Sequence, residues 1–352
     1  MKGTMETESH SSVCIKDEVA IENTFLTNSY RVDLRTLSPK QKDRFVKCSN
    51  IRDWSMVTWK DVGKPYEVTT YSKDRLAWEK EHHQTMDPKT SWQFFNQAFH
   101  EWFVKDVPRE MDDKKKAFFR SLKRFRLQEI QTALQDVIQI HLWNYVHRVE
   151  DGIWDPRGKR ALFEGLDVTK PKILFLGAAE GYEGMQLAAM YPGAEVVLVD
   201  YDAYCRDTRF QDFPESYPFL GGNLATGGKK VYYKKDFHIE YIVDDIRNLP
   251  FGKEFDIVLS VGLLEHFPDE KKPEVIEWHR KFLKPTGYCI MTTPRNQWKS
   301  RIYYRVMADV MNHTYRELMT VEQMGLYAYE NGLNIERHGY IKVHNGLIAT
   351  VR

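Results

Sequence analysis

Four kinds of residue in this chain are placed where they could do chemistry, and each follows a short apolar run. The stretch Lys172–Gly184, KILFLGAAEGYEG, sets Gly177, Gly181 and Gly184 behind four apolar residues. Glycines there allow a tight turn and close approach of the backbone to a ligand, and the N–H groups of a following helix then face that ligand. Asp200 closes the run EVVLV, where a carboxylate can accept hydrogen bonds from ribose hydroxyls. Asp244-Asp245 closes IEYIV in the same way, and Glu265-His266 comes shortly after FDIVLS. His266 there could act as a general base with Glu265 beside it. Thr293, Arg295 and Asn296, beyond the run YCIMT, fall at the same edge and could touch a substrate. No metal is expected. His82-His83, His100, His141 and His147 form no ligand set, and Cys14, Cys48, Cys205 and Cys289 lack CxxC spacing.

The elements that must position these residues are short apolar strands alternating with helices, the pattern of a parallel sheet covered on both faces. Strands are expected at Ile173–Leu176, Glu195–Val199, Ile239–Val243, Phe255–Ser260 and Tyr288–Thr292, with a helix over Met185–Met190. Helices at about 301–312 and 320–331 and two closing strands near 334–342 and 346–351 complete the pattern. Tyr201–Phe237, rich in Pro and Gly, is a connection long enough to be functional or disordered. The preceding text differs. Residues 1–28 are polar and read as a flexible tail, with a lid over the ligand as the alternative. Residues 29–158 read as an aromatic-rich, mainly helical cap, in which Ser38-Pro39 can open a short helix and Trp92, Phe95, Phe99 and Phe103 recur at helical spacing. The helical period continues to Arg148, and places Trp143, Tyr145 and His147 as candidates for a pocket roof. The turn-rich Glu150–Gly158 marks an expected boundary, and 159–352 is expected to form the sheet-bearing part.

Composition narrows the partners. The 352 residues are 42% hydrophobic and 29% charged with net charge +1, so no global field recruits nucleic acid or an anionic membrane. The basic run from Lys114 to Arg126 is flanked by acidic residues and reads as a solvated helix face. No apolar leader or membrane-length run occurs, and the cysteine pattern fits a reducing cytoplasm. The oligomeric state stays open.

The ordered segments FLGAAEGYEG, VVLVD, YIVDDIRNLPF, FDIVLSVGLLEHF and LKPTGYCIMTTP resemble the class I S-adenosylmethionine-dependent methyltransferases over about residues 165–352. The resemblance implies an α/β fold, a Rossmann-like seven-stranded sheet with a final antiparallel hairpin, S-adenosylmethionine as cofactor and a small-molecule methyl acceptor. It implies cofactor binding by Gly177, Ala178, Ala179, Gly181, Tyr182, Asp200, Tyr201, Asp244, Asp245, Ile246 and Ser260. Asp200 would hold the ribose, and Asp244 or Asp245 with Ile246 would bracket the adenine. Catalytic candidates are His266, Tyr182, Tyr145 and Asn296. Two departures stand out: Phe175 where the family often has an acidic residue, and Ala179 where it commonly has glycine. The methionine end is therefore expected to be held differently. Tyr182 could face a sulfonium with its ring, or simply pack on the sheet edge. The same departures are similar to what an azetidine-2-carboxylate synthase would require, in which the cofactor's own amino group cyclises and methylthioadenosine leaves. A non-catalytic cofactor-binding protein is the third alternative.

Overall fold

Five of the apolar runs form parallel strands at the centre of one sheet. The computed structural model describes residues 14–15, 24–27, 30–33, 51, 53–103, 111–146, 162–215, 217, 219–221, 229–341 and 343–352. The sheet strands are β1 (Lys172–Leu176), β2 (Glu195–Asp200), β3 (His238–Val243), β4 (Phe255–Val261), β5 (Leu283–Pro294), β6 (Leu333–Ile341) and β7 (His344–Val351). Their spatial order is β3-β2-β1-β4-β5-β7-β6, with β1 to β5 parallel and β7 antiparallel to both of its neighbours. The expected Rossmann-like seven-stranded sheet with its closing hairpin is thus present. The break in strand order at β1 and β4 opens a crevice beyond the carboxyl ends of the strands.

Alternation along each strand feeds two cores. Leu174, Leu176, Val197 and Val199 pack with Val258 and Met291 on one face, under helices α6 (Lys272–Phe282) and α9 (Val321–Glu330). Ile173, Phe175, Val196 and Leu198 pack on the other, under α5 (Tyr182–Met190). Burial on both faces is why these strands read as continuous apolar runs.

The first half contributes α1 (Lys73–His82), α2 (Pro88–Phe103), α3 (Met111–Arg124) and α4 (Leu127–Val146). Phe95, Phe99, Trp102 and Ile138 pack against Tyr304 of α7 (Trp298–Val306), Val310 and Met311 of α8 (Ala308–Met311), and Met307 between those helices. The two-residue strand Tyr66–Glu67 pairs with Glu317–Leu318. Helices α2 and α4 of the first half are therefore joined to the sheet half through a shared core. Lys114 of the basic run pairs with Asp136 of α4 at 2.8 Å. The long connection is more ordered than a loop. It contains a π-helical turn at Cys205–Phe210, and two short paired strands at Phe219–Gly221 and Lys229–Tyr232. The expected tail, the Ser38-Pro39 helix and the boundary at 150–158 lie outside the described residues, apart from short strands at 14–15 and 24–27. Among the described residues no helix is long and apolar enough to cross a membrane.

Candidate active site

Register places the chemistry at one edge of the sheet. Leu176 stands opposite Val199 and Ser260, and Asp200 opposite Val243, so Gly177, Asp200, Asp244 and the turn after β4 emerge side by side. The turn itself needs left-handed backbone: φ is +68° at Gly177, +48° at Ala179 and +78° at Gly181, which caps α5. Ala179 holds a conformation that glycine adopts without cost, so the departure from glycine leaves local strain there. Gly181 lies against Leu198 and is not in the cavity wall.

A cavity of about 820 Å³ runs from this turn to the underside of α2. Its volume lies in the range of small-molecule sites. Gly177, Ala178, Ala179, Tyr182, Asp200, Tyr201, Asp245, Ile246 and His266 line it, as the sequence suggested. Other expected residues fall elsewhere. Ser260 is buried in β4 with its hydroxyl 2.9 Å from His279 Nε2, so the strand's alternation turns it toward α6. Asn296 accepts a hydrogen bond from Arg301 Nε at 2.9 Å and is not a wall residue. Asp244 accepts from the backbone of Asp245 and from Asn248, and Asp245 alone of the pair reaches the wall. Tyr145 is on α4, with its side chain outside the described residues, and His147 is wholly outside them.

The carboxylates differ in setting. Asp200 accepts from the backbone N–H of Ala179 at 3.0 Å and of Asp202 at 3.1 Å, which ties β2 to the glycine turn. Burial raises its pKa and those hydrogen bonds lower it, burial being the larger effect. The Arg247 side chain, donating to both oxygens of Asp245, holds that carboxyl below its ordinary value.

Tyr182 is buried in a cluster of rings from the insertion, with Phe219 and Tyr217 both at 5.6 Å between centroids, and one part of it meets the cavity. Beside it lies a polar network that the sequence did not reveal. Arg209, only 5% exposed, donates to Asn96 Oδ1 at 2.8 Å and pairs with Glu180 of the glycine turn. Asn96 Nδ2 donates in turn to Asp202 at 3.1 Å. The crevice beside the glycine turn thus presents a guanidinium and a carboxylate, while Phe175, where an acidic residue was expected from the resemblance, is buried in the α5-side core.

The far end of the cavity is built by Glu265, His266 and Arg316. His266 Nδ1 lies 2.8 Å from the Tyr315 carbonyl and 2.7 Å from Thr314 Oγ1. A carbonyl only accepts, so Nδ1 carries the proton and Nε2 the lone pair. Burial, then Arg316, pushes the imidazole pKa well below its usual value, so the ring is neutral. Trp92 stacks edge-on against it at 4.6 Å. Glu265 is fully buried, and burial raises its carboxyl pKa to about 7. Arg316 Nη1 stands 3.6 Å from Oε1 and His266 Nε2 3.8 Å, both beyond hydrogen-bond length.

The donor set fits S-adenosylmethionine. The buried carboxylate of Asp200, Asp245 with Ile246, the left-handed Gly177 and Ala179, and the Arg209–Glu180 pair all line the one cavity. Arg209 Nε has no hydrogen-bond partner among the described residues, which leaves a donor for an anionic group.

A family model described as a methyltransferase domain matches residues 145–338. Among solved structures, the chain is similar to an S-adenosylmethionine-dependent methyltransferase from Aquifex aeolicus, at 14% identity over 57% of this chain and 91% of that one, with a TM-score of 0.39. It is also similar to human N-acetylserotonin methyltransferase, at 13% identity over 74% and 66% of the two chains, with a TM-score of 0.41. For the Burkholderia thailandensis 1,6-didemethyltoxoflavin-N1-methyltransferase the figures are 12% identity, 52% and 72% coverage, and a TM-score of 0.37. A search of curated proteins finds no match.

Proposed function

The chain belongs to the S-adenosylmethionine-dependent methyltransferases, and we propose that it methylates a small molecule held between the sheet edge and helix α2. The observation that carries this is the continuity of the cavity. One space of about 820 Å³ is lined by the glycine turn and Asp200 and also by Trp92, Phe95 and Tyr304, where a second molecule would sit beyond the cofactor. Cyclisation of the cofactor on itself needs no such chamber, and a non-catalytic protein needs no buried polar end to it.

S-adenosylmethionine, when bound, supplies an electrophilic methyl group on a sulfonium. The protein's part is to bind, orient and exclude water. Asp200 would accept from the ribose hydroxyls and Asp245 with Ile246 would flank the adenine. Arg209 and Glu180 would meet the carboxylate and ammonium of the amino-acid end. Helix α2, seated on α7 and α8 through Phe95 and Phe99, roofs the acceptor end and keeps it dry.

The test is incubation of the purified protein with S-adenosylmethionine alone, followed by calorimetry and mass spectrometry of the products. The cofactor should bind and remain intact until an acceptor is supplied, when S-adenosylhomocysteine should accumulate. Methylthioadenosine formed with a cyclic amino acid, faster than spontaneous breakdown, would replace methyl transfer by cyclisation. Asp200→Ala should weaken S-adenosylmethionine binding about 10- to 100-fold by removing a charged hydrogen-bond acceptor. Unchanged affinity in a variant with the wild-type melting profile would remove Asp200 from the ribose site.

A further inference from the structure

We propose that Glu265 and Arg316 form the polar end of an acceptor subsite for a flat aromatic molecule bearing one O–H or N–H donor, whose proton Glu265 takes during transfer. The proposal rests on the methyltransferase reading and specifies its substrate class and its base.

Orphaned polar atoms carry the inference. Glu265 is 0% exposed, yet no other described residue donates a hydrogen bond to its Oε1 or Oε2. Arg316 Nε and Ser300 Oγ are likewise buried and unpartnered, and all three residues line the same cavity. A buried carboxyl that no other residue hydrogen-bonds keeps much of the cost of its lost hydration, and a folded protein rarely leaves several such groups around one space. A ligand that brings a donor to Glu265 and an acceptor to Arg316 removes that cost. Aromatic side chains line the same cavity. Trp92 and Phe95 of α2 and Tyr304 of α7 all give aromatic surface to this cavity, and aromatic surfaces of this kind hold planar rings.

Position makes Glu265, and not His266, the base. Gly262 has φ +69°, and a Cβ there would lie 3.2 Å from Glu265 Oε1, so the turn after β4 folds the carboxyl back toward the sheet edge. The same turn touches the cofactor loop: a Cβ on Gly177 would lie 3.4 Å from Leu263. His266 has its Nδ1 committed to the Tyr315 carbonyl and its ring pressed against Trp92. Its imidazole is held neutral far below the usual range, which makes it a weak proton acceptor, whereas burial has brought Glu265 to about 7. In the step itself, the acceptor heteroatom forms its bond to the methyl carbon. The C–S bond breaks with its electron pair left on sulfur, and the heteroatom's proton passes to Glu265 and then to solvent.

The probes are naphthol and its methyl ether, which share a ring and differ in the O–H donor. Each is titrated by calorimetry into the full-length protein saturated with S-adenosylhomocysteine. Wild type should bind naphthol about tenfold more tightly than the ether. Glu265→Ala should bind the two alike, with S-adenosylhomocysteine affinity unchanged. Glu265→Gln keeps the volume and an acceptor oxygen, so it should keep the discrimination while slowing methylation of naphthol about 100-fold or more. Equal or absent binding of both probes by wild type, or discrimination that survives Glu265→Ala, would overturn the proposal while cofactor binding still stood. Failure of wild type to bind S-adenosylmethionine at all would instead overturn the methyltransferase reading beneath it.

Discussion

At the scale of single residues, Glu265 exposes how far burial shapes this site. Its carboxyl pKa sits at about 7, raised by burial and partly restrained by Arg316, by its own backbone N–H and, more weakly, by Lys272. Glu317 opposes them, being held 2.6 Å from Lys272. The sign follows from proton counting. Between the ordinary carboxylate value and about pH 7 the folded protein holds a proton that the unfolded chain has released, so stability falls as pH rises through that window. Above about pH 7 the penalty is complete, on the order of 3 kcal/mol as an upper bound. Neutral His266 works in the opposite direction, because the unfolded chain takes up a proton there first and stability rises toward neutral pH. Glu265→Gln separates the two. Its melting temperature relative to wild type should climb between about pH 5 and about pH 8 as the carboxylate penalty disappears. A difference that stays constant across that range would mean Glu265 ionises no differently in the fold than outside it.

At the scale of elements, the strands and the helix after the glycine turn were readable because burial on both faces writes itself as uninterrupted apolar text. The spans expected at Ile173–Leu176 and Phe255–Ser260 are matched by Lys172–Leu176 and Phe255–Val261. Glycines were readable for a different reason, since only some of them answer a backbone demand. Gly181 has φ +78°, and a Cβ would sit 2.5 Å from Leu198 Cδ1 in the sheet core. Gly252 has neither a left-handed φ nor an atom within 4 Å of that position. Gly181→Ala should therefore cost about 2 kcal/mol through backbone strain and core crowding, while Gly252→Ala should be neutral or slightly stabilising. Paired urea titrations decide the matter, and equal effects at the two glycines would show that the turn relaxes freely. Ser260 marks where strand reasoning reached its limit. The pattern located β4, but which of its residues reach the cavity depends on a neighbour, His279, distant in sequence.

At the scale of the whole molecule, the buried cations were invisible in the sequence because their partners are scattered along it. Arg209 lies 113 residues from Asn96 and 29 from Glu180, and no local pattern announces such a meeting. Its consequence is mechanical. Asn96 on α2 donates to Asp202 and accepts from Arg209, while Asp202 and Arg209 bear on Asp200 and Glu180 at the cofactor crevice. Helix α2 and the glycine-turn edge of the cavity therefore share one buried hydrogen-bond network, which in the proposed reading joins the acceptor roof to the cofactor floor. Filling the crevice should stiffen α2, and loosening α2 should weaken cofactor binding by the same free energy, since linkage between sites is reciprocal. Asn96→Ala removes the side-chain bridge and leaves Arg209 paired with Glu180. It should reduce S-adenosylhomocysteine affinity about 5- to 50-fold. In hydrogen exchange, saturating S-adenosylhomocysteine should slow the amides of α2 in wild type and leave them nearly unchanged in Asn96→Ala. The amides of the glycine turn should be protected in both proteins, because direct contact with the cofactor does not pass through Asn96. Equal protection of α2 in wild type and variant would show that the roof closes independently of the network.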